Sequence, residues 1–156
     1  MSDESIRHLI RSHPQDPAAP DRPHHPVAID PAEALQLLGS VSLGRIVFTQ
    51  HALPAIRPVN HIVVDGDVIV RTHQGAALAA HIHGGSAPDA VVTYEADAID
   101  PATHLGWSVV ATGYARLVTD PAELDDYRRR LQPWVDQVMD LAVRIHPEVI
   151  TGLRLR

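Results

Sequence analysis

The chain has 156 residues, a formal net charge of −6 and a hydrophobic content of 45%. All 13 of its basic residues are arginine, and the absence of lysine and cysteine excludes disulfides, thiolate metal sites, cysteine nucleophiles and Schiff-base chemistry. The acidic balance argues against a nucleic-acid-binding surface, and no apolar run approaches the roughly 20 residues of a membrane-spanning helix. We expect a cytoplasmic protein with neither nucleic acid nor membrane as a partner.

The first segment, residues 1–26, is rich in proline and histidine and poor in large apolar side chains. Such a composition buries too little surface to offset the entropy lost on ordering. We therefore expect residues 1–26 to form a flexible tail and residues 27–156 to form one folded domain. The adjacent His24 and His25 lack a third ligand at a suitable spacing, so we predict no metal site there.

Three short helices are predicted along the chain. The tetrapeptide Asp-Pro-Ala-Glu occurs at 30–33 and again at 120–123, and it combines a capping Asp, a first-turn Pro and a Glu that can complete the cap. Arginines at 128–130 suit the end of the helix that begins at 120, so we interpret them as a solvated helix face. A third helix is predicted over residues 74–83, before two glycines.

The rest of the domain has the pattern of a mainly β protein. Strands are predicted at 41–48, in a hairpin over 62–70 with its turn at Asp65-Gly66, and at 90–94, 107–118, 140–145 and 149–155. These make about six strands joined as antiparallel hairpins. Closure into a small barrel would remove the exposed strand edges.

The segment Arg57-Pro58-Val59-Asn60-His61 interrupts a predicted strand with polar residues. Pro58 cannot donate a hydrogen bond to a neighbouring strand, so it should lie at an edge or a bulge. Such a segment either faces a ligand or is an ordinary barrel strand whose Arg57 pairs with a surface carboxylate. The residue types alone leave both interpretations open.

Two further groups are candidates for binding. Residues 71–75, Arg-Thr-His-Gln-Gly, lie at a strand end before a predicted helix. An arginine, a hydroxyl and free helix N–H groups suit a phosphate monoester, although a simple turn capped by Thr72 has the same pattern. Trp107 and Ser108 open a long strand, where a tryptophan belongs more often to the core than to a cofactor site.

The order of these motifs resembles a known family. The segments 44–48, 57–61, 65–66, 71–72, 106–110 and 151–152 run as they do in the pyridoxamine 5′-phosphate oxidase-like, FMN-binding split-barrel family, above all in its small actinobacterial members. The resemblance covers about residues 30 to 156. It implies a six-stranded split β-barrel that forms a homodimer, with a flavin at each end of the shared interface.

The resemblance also implies roles for individual residues. Cofactor-binding residues would be Arg57, Pro58, Val59 and Asn60 along the flavin ring, Arg71, Thr72 and Gly75 at the phosphate, and Trp107 and Ser108 at the pocket border, often from the partner protomer. His61 is a candidate catalytic proton donor near the substrate. The expected function is a flavin-dependent oxidoreductase that uses FMN and acts on an unidentified small molecule.

One position departs from the family pattern. Relatives commonly have Gly-Thr-Lys-Leu where this chain has Gly75-Ala76-Ala77-Leu78, and their lysine supports the phosphate. Losing one charge-assisted hydrogen bond would weaken binding roughly 10- to 100-fold. The alternatives are therefore use of deazaflavin F420, non-enzymatic binding of flavin or of haem with His51 or His61 as axial ligand, and a structural dimer that has lost its ligand.

Overall fold

A computed structural model describes residues 24–73, 76–84 and 90–156. The elements, in chain order, are β1 (Pro26–Ile29), α1 (Pro31–Gly39), β2 (Leu43–Gln50), β3 (Leu53–Val64), β4 (Asp67–Thr72), α2 (Ala77–Gly84), β5 (Ala90–Ile99), β6 (Gly106–Leu117), α3 (Pro121–Arg130) and β7 (Leu141–Leu155). The predicted tail falls mostly on residues 1–23, outside the described residues, and its last residue, Pro26, already belongs to β1.

The strands form one antiparallel sheet that closes on itself. Its order is β1-β7-β4-β3-β2-β5-β6, and a further pairing of β6 with β7 completes a ring of six strands. The seventh strand, β1, pairs with residues 152–155 of β7, whereas β4 pairs with residues 141–145 of the same strand. This confirms the predicted mainly β, barrel-like fold. The predicted homodimer stays a prediction.

The prediction of two separate strands at 140–145 and 149–155 is wrong, because β7 runs unbroken through 15 residues. Opposite it on β6, the register shifts between Thr112 and Gly113, which pair with Val149 and Pro147. One residue of β7 is thus left over as a bulge. A bulge accommodates a proline that cannot donate to the sheet, so the strand continues past Pro147.

The local signals for turns and helix starts are confirmed. Asp65 and Gly66 have φ angles of 51° and 85°, as a two-residue hairpin turn requires. The Asp30 carboxylate accepts from two backbone N–H groups of α1, and the Asp120 carboxylate accepts from one of α3. Helix α2 begins at Ala77, and residues 74 and 75, where the predicted helix starts, lie outside the described residues. In the described parts of the chain, no helix is long and apolar enough to cross a membrane.

Two hydrophobic clusters hold the fold together. The larger fills the barrel and includes Ile46, Tyr94 and Trp107, which is 8% exposed. The smaller lies between the outside of the barrel and α3 and includes Tyr127 and Leu131. The second cluster fixes α3 beside β4, which positions the segment that follows the helix.

Candidate functional site

Strand β3 has an open edge where the predicted ligand-facing segment lies. Residues 53–60 pair with β2 on one side, but β4 pairs only with residues 61–64 on the other. Pro58 therefore lies on an edge, opposite Arg45 of β2, as its missing N–H predicted. The open edge forms one wall of two clefts.

The first cleft, which we call the helix cleft, has a volume of about 320 Å³ and lies between this edge, the end of β4 and the start of α2. Five of its lining residues are predicted cofactor ligands, namely Arg57, Pro58, Val59, Arg71 and Thr72. Ala76 and Ala77 contribute the beginning of the helix. The structure thus brings the two predicted groups together around one cavity.

The second cleft has a volume of about 350 Å³ and lies under residues 132–140, which connect α3 to β7 and which we call the strap. Its barrel wall includes Asn60, and its strap wall includes Trp134 and Val135. This strap cleft shares four lining residues with the helix cleft: Pro58, Val59, Arg71 and Met139. The two cavities therefore adjoin each other along the open edge of β3.

Arg57 presents its charge at the helix cleft. Its Nη1 donates to the Ile56 carbonyl at 2.8 Å, and its guanidinium lies 6.0 Å from the centre of the Phe48 ring. No carboxylate pairs with it among the described residues, so the alternative of a surface ion pair is not observed. Arg57 can therefore offer its donors to an anion in the cleft.

Arg71 is turned toward the strap. Its Nη1 donates to the carbonyl oxygens of Leu131 at 2.8 Å and of Arg128 at 3.4 Å, and its Nη2 donates to the carbonyl of Met139. Its Nε is buried without a partner in the described chain, and burial lowers the pKa of the guanidinium. These contacts give Arg71 a role in holding the strap, and its predicted role at a phosphate stays a prediction.

Thr72 and Asn60 occupy opposite ends of the combined site. Thr72 is 6% exposed and lines the helix cleft beside the start of α2. Asn60 lines the strap cleft, and its Nδ2 donates to the carbonyl of Gln132 at 2.9 Å, which makes it a second anchor of the strap. Gly75, the remaining predicted phosphate ligand, lies outside the described residues.

Trp107 and Ser108 do not join this constellation within one chain. Trp107 points into the barrel core, and neither residue lines the helix cleft or the strap cleft. Ser108 pairs with Asp97 of β5 and Leu153 of β7. Neither residue therefore contributes to the helix cleft or the strap cleft, and their predicted role at a cofactor stays a prediction.

His61 is a buried residue of the fold. Its side chain is 2% exposed, and its Nε2 lies 2.7 Å from the Leu38 carbonyl, an acceptor, so Nε2 carries the proton. Nδ1 then accepts from the Tyr94 hydroxyl at 2.6 Å. Burial lowers the pKa of the imidazole. Because both nitrogens have partners inside the protein, neither is free to reach a substrate or a haem iron, and the contacts do not favour the predicted catalytic role.

A wider groove of about 690 Å³ beside the end of α1 is lined by the predicted catalytic residue His61, whose two ring nitrogens have partners within the protein, and by none of the predicted cofactor-binding residues. Its Arg45 is paired with Glu95 at 3.0 Å and with Asp97 at 3.3 Å. The charge at this groove is therefore compensated. We place the candidate site at the helix and strap clefts.

No element or role was predicted from the sequence for residues 132–139 of the strap; its last residue, Asp140, begins the predicted strand at 140–145. Trp134 was the available signal, because it is one of only two tryptophans and lies outside every predicted element. In the structure it is 62% exposed. An exposed tryptophan beside a cleft is a common feature of binding sites.

The comparison of the sequence with protein families decides the relationship. The profile of the family described as pyridoxamine 5′-phosphate oxidase matches residues 30–154. The chain belongs to this family. The resemblance carried by the motifs between residues 44 and 152 is thereby confirmed.

Three relatives are informative. The uncharacterized protein Rv0080 of Mycobacterium tuberculosis is 49% identical over 138 residues, which cover 88% of this chain and 91% of that protein. The structure of a candidate pyridoxamine 5′-phosphate oxidase from Corynebacterium glutamicum is 32% identical, with a TM-score of 0.68, and the match covers 86% of this chain and 96% of the other. The FAD-binding protein of Mycobacterium smegmatis is 33% identical, with a TM-score of 0.63 and coverage of 85% and 100%.

Proposed function

We propose that this protein binds a flavin through its ribityl phosphate in the helix cleft and serves as a flavin-dependent oxidoreductase acting on a small molecule. The observation that carries the proposal is the convergence of Arg57, Thr72 and the start of α2 on one cavity beside the open edge of β3. Family membership supports it, and so does the similarity to a protein named as FAD-binding.

The donors of the helix cleft suit a phosphate monoester. Arg57 supplies a guanidinium without a carboxylate partner among the described residues, and Thr72 supplies a hydroxyl. The first N–H groups of a helix lack partners within the helix and favour an anion. Ala77, the first residue of α2, contributes no charge. Of the two arginines that line the helix cleft, Arg71 already donates to backbone carbonyls of Leu131 and Met139, so Arg57 is the one whose donors are available to the phosphate.

The open edge of β3 suits the flavin ring. Pro58 and Val59 line both clefts and present an apolar surface that a flat ring can cover. When bound, the flavin would supply reversible acceptance of a hydride, and the protein's own residues would orient the ring and exclude water. FMN and FAD share the ribityl phosphate, so the same donors would serve either cofactor.

We also propose that the protein is a homodimer, formed through the outer face of β5, β6 and β7. Large apolar side chains are exposed on this face: Val91, Val110, Tyr114, Val149 and Leu153. The register places Val91 beside Tyr114 and Leu153 beside Ser108, so Ser108 would lie at the interface. Sedimentation equilibrium of Val110→Arg should give monomers where the wild type gives dimers; a monomeric wild type would contradict the proposal.

Binding of FMN by the purified chain, followed through quenching of flavin fluorescence, tests the flavin proposal. Arg57→Gln should lower the affinity for FMN at least about tenfold, because it removes a charge-assisted contact with the phosphate. Arg129→Gln is the matched control, since Arg129 is exposed on α3 and lines neither cleft. Equal affinities of wild type and Arg57→Gln, or no binding of FMN and FAD by the wild type, would refute the proposed site.

A further inference from the structure

We propose that Arg71 couples the two clefts: a phosphate anion bound in the helix cleft stabilises the Arg71 guanidinium in the position from which it holds the strap closed. This coupling rests on the phosphate site of the proposed function and adds a conformational consequence of its occupation. Arg71 acts as a positioning residue of the strap. It lines both clefts, and so does Met139 near the end of the strap.

A single guanidinium holds both ends of the strap. Nη1 of Arg71 donates to the carbonyl of Leu131, directly before the strap, at 2.8 Å, and Nη2 donates to the carbonyl of Met139. Leu131 follows the last residue of α3, where backbone carbonyls without partners in the helix attract a cation. One charged side chain of β4 therefore fastens the strap to the barrel.

The middle of the strap contributes little to this closure. Its three large apolar side chains are more than half exposed. The other described hydrogen bonds from side chains of the barrel or α3 to strap carbonyls are those of Asn60 to Gln132 and of Arg128 to Asp140. A segment with few anchors opens locally at a small cost in free energy. The contacts of Arg71 therefore have a large influence on how often the strap opens.

The guanidinium of Arg71 lacks a paired countercharge. Its acceptors are neutral carbonyl oxygens, and Asp140 attracts its charge without forming an ion pair with it in the described chain. Burial, and then the charge of Arg128, lowers the pKa of Arg71, because a cation removed from water is unfavourable unless it is compensated. An anion beside the guanidinium would supply that compensation.

Arg71 keeps a donor for this anion while it holds the strap. The contacts with the carbonyls of Arg128, Leu131 and Met139 all use Nη atoms. Nε takes no part in them and is buried without a partner in the described chain. A phosphate oxygen in the helix cleft, which Arg71 lines, can therefore neutralise the guanidinium without replacing its contacts with the strap.

Occupation of the helix cleft and closure of the strap then favour each other. By linkage, an anion that stabilises the closed strap binds more tightly to the closed form by the same factor. The strap forms a wall of the strap cleft opposite Pro58 and Val59. A bound phosphate would consequently keep the open edge of β3 covered, and an empty phosphate site would leave it accessible.

Hydrogen exchange of the full chain with inorganic phosphate, or with chloride at the same ionic strength, tests this coupling. Saturating phosphate should slow exchange of the amides between 131 and 139 at least about fivefold. The amides of β1, which lines neither cleft, should not change.

Two variants separate binding from coupling, with phosphate occupancy checked by isothermal titration. Arg57→Gln is the matched control, because Arg57 also lines the helix cleft but its described hydrogen bond goes to Ile56; at saturating phosphate it should show the same slowing. Arg71→Lys keeps the charge but lacks the planar fork that reaches both ends of the strap. It should bind phosphate without the slowing.

Phosphate that binds without slowing this exchange, that speeds it, or that slows it equally in Arg71→Lys would overturn the coupling. A wild type that binds no phosphate would overturn it as well. FMN is tested in parallel. Slowing by phosphate together with no binding of FMN would refute the flavin function and leave the coupling standing, whereas binding of FMN with unchanged exchange would refute the coupling and leave the flavin function standing.

Discussion

The hydroxyl of Tyr94 lies 2.6 Å from Nδ1 of His61, and the two rings meet edge to face with their centres 4.9 Å apart. The same hydroxyl lies 3.3 Å from the carbonyl oxygen of Val59. Nε2 of His61 donates to Leu38 at the end of α1. Tyr94 and His61 thus link β5 and α1 to the part of β3 that forms the wall of both clefts.

Tyr94→Phe should destabilise the fold by about 1–3 kcal/mol, because it leaves the buried Nδ1 of His61 without a donor. Urea denaturation measures the free energy of unfolding. Tyr114→Phe is the control, since Tyr114 is 43% exposed. This substitution should change the free energy of unfolding by less than about 0.5 kcal/mol. Equal stabilities of the two variants would show that the Tyr94 hydroxyl contributes nothing.

Gly44→Ala should also destabilise the fold, by about 1–3 kcal/mol. A Cβ at Gly44 would overlap the Tyr94 hydroxyl and would lie 2.6 Å from the Glu95 carbonyl oxygen, so the strand must move. Gly39→Ala is the matched control, because its nearest contact would be Val63 at 3.5 Å. A lower unfolding temperature for Gly39→Ala than for Gly44→Ala would contradict this prediction.

The burial of His61 predicts a pH dependence of stability. Burial lowers the pKa of the folded imidazole, while the unfolded residue titrates near its ordinary value of about 6.5. As pH falls below about 6.5, the unfolded chain takes up a proton that the folded chain does not, so the stability contributed by neutral His61 is lost. His61→Gln keeps a donor for Leu38 and lacks this titration.

The difference in unfolding free energy between wild type and His61→Gln should therefore shrink by up to about 1 kcal/mol between pH 6.5 and 5.5. Urea denaturation of both proteins at several pH values gives this difference directly and removes the contribution of every other group. A difference that stays constant or grows toward acid would show that His61 is not held neutral.

The contacts of Arg71 predict that it holds the strap. Arg71→Gln loses the guanidinium donors to Leu131 and Met139, and a hydrogen bond to a charged group contributes about 1.5–3 kcal/mol. Hydrogen exchange of the amides between 131 and 139 should become at least about tenfold faster. Arg129→Gln should leave it unchanged, and the same exchange rates in Arg71→Gln and wild type would disprove the anchoring role.

Ala77→Lys should strengthen FMN binding. Ala77 lines the helix cleft at the start of α2. Relatives in the same family commonly carry a lysine at this position. An added ammonium beside the phosphate should lower the Kd roughly 10- to 100-fold. Ala80→Lys is the control, because Ala80 lies one turn later on α2 and outside the cleft; equal effects of the two lysines would indicate only a general charge effect.

The features predicted correctly from sequence depend on neighbours along the chain. The Asp65-Gly66 turn and the Asp30 cap each act within four residues, so their local chemistry decides the structure. The order of the family motifs predicted that residues 57–59 and 71–72 contact the same cofactor and therefore lie close together. Their convergence on one cleft needed only that β3 and β4 form a hairpin.

The features missed depend on contacts between distant residues. Arg71 is held by backbone carbonyls 57 to 68 positions away, and a carbonyl oxygen has no sequence signature. His61 lies next to polar Asn60 and was predicted to face the ligand, but alternation along β3 turns it inward to Tyr94, 33 residues later. Such partners become visible only once the barrel has closed.

The central claim, that the helix cleft binds a flavin by its phosphate, is tested most directly by comparing FMN with riboflavin, which has the same ring and no phosphate. Isothermal titration of the wild-type chain should give FMN an affinity at least about tenfold higher than riboflavin. In Arg57→Gln that preference should shrink. Equal affinities of the wild type for FMN and riboflavin would contradict the account.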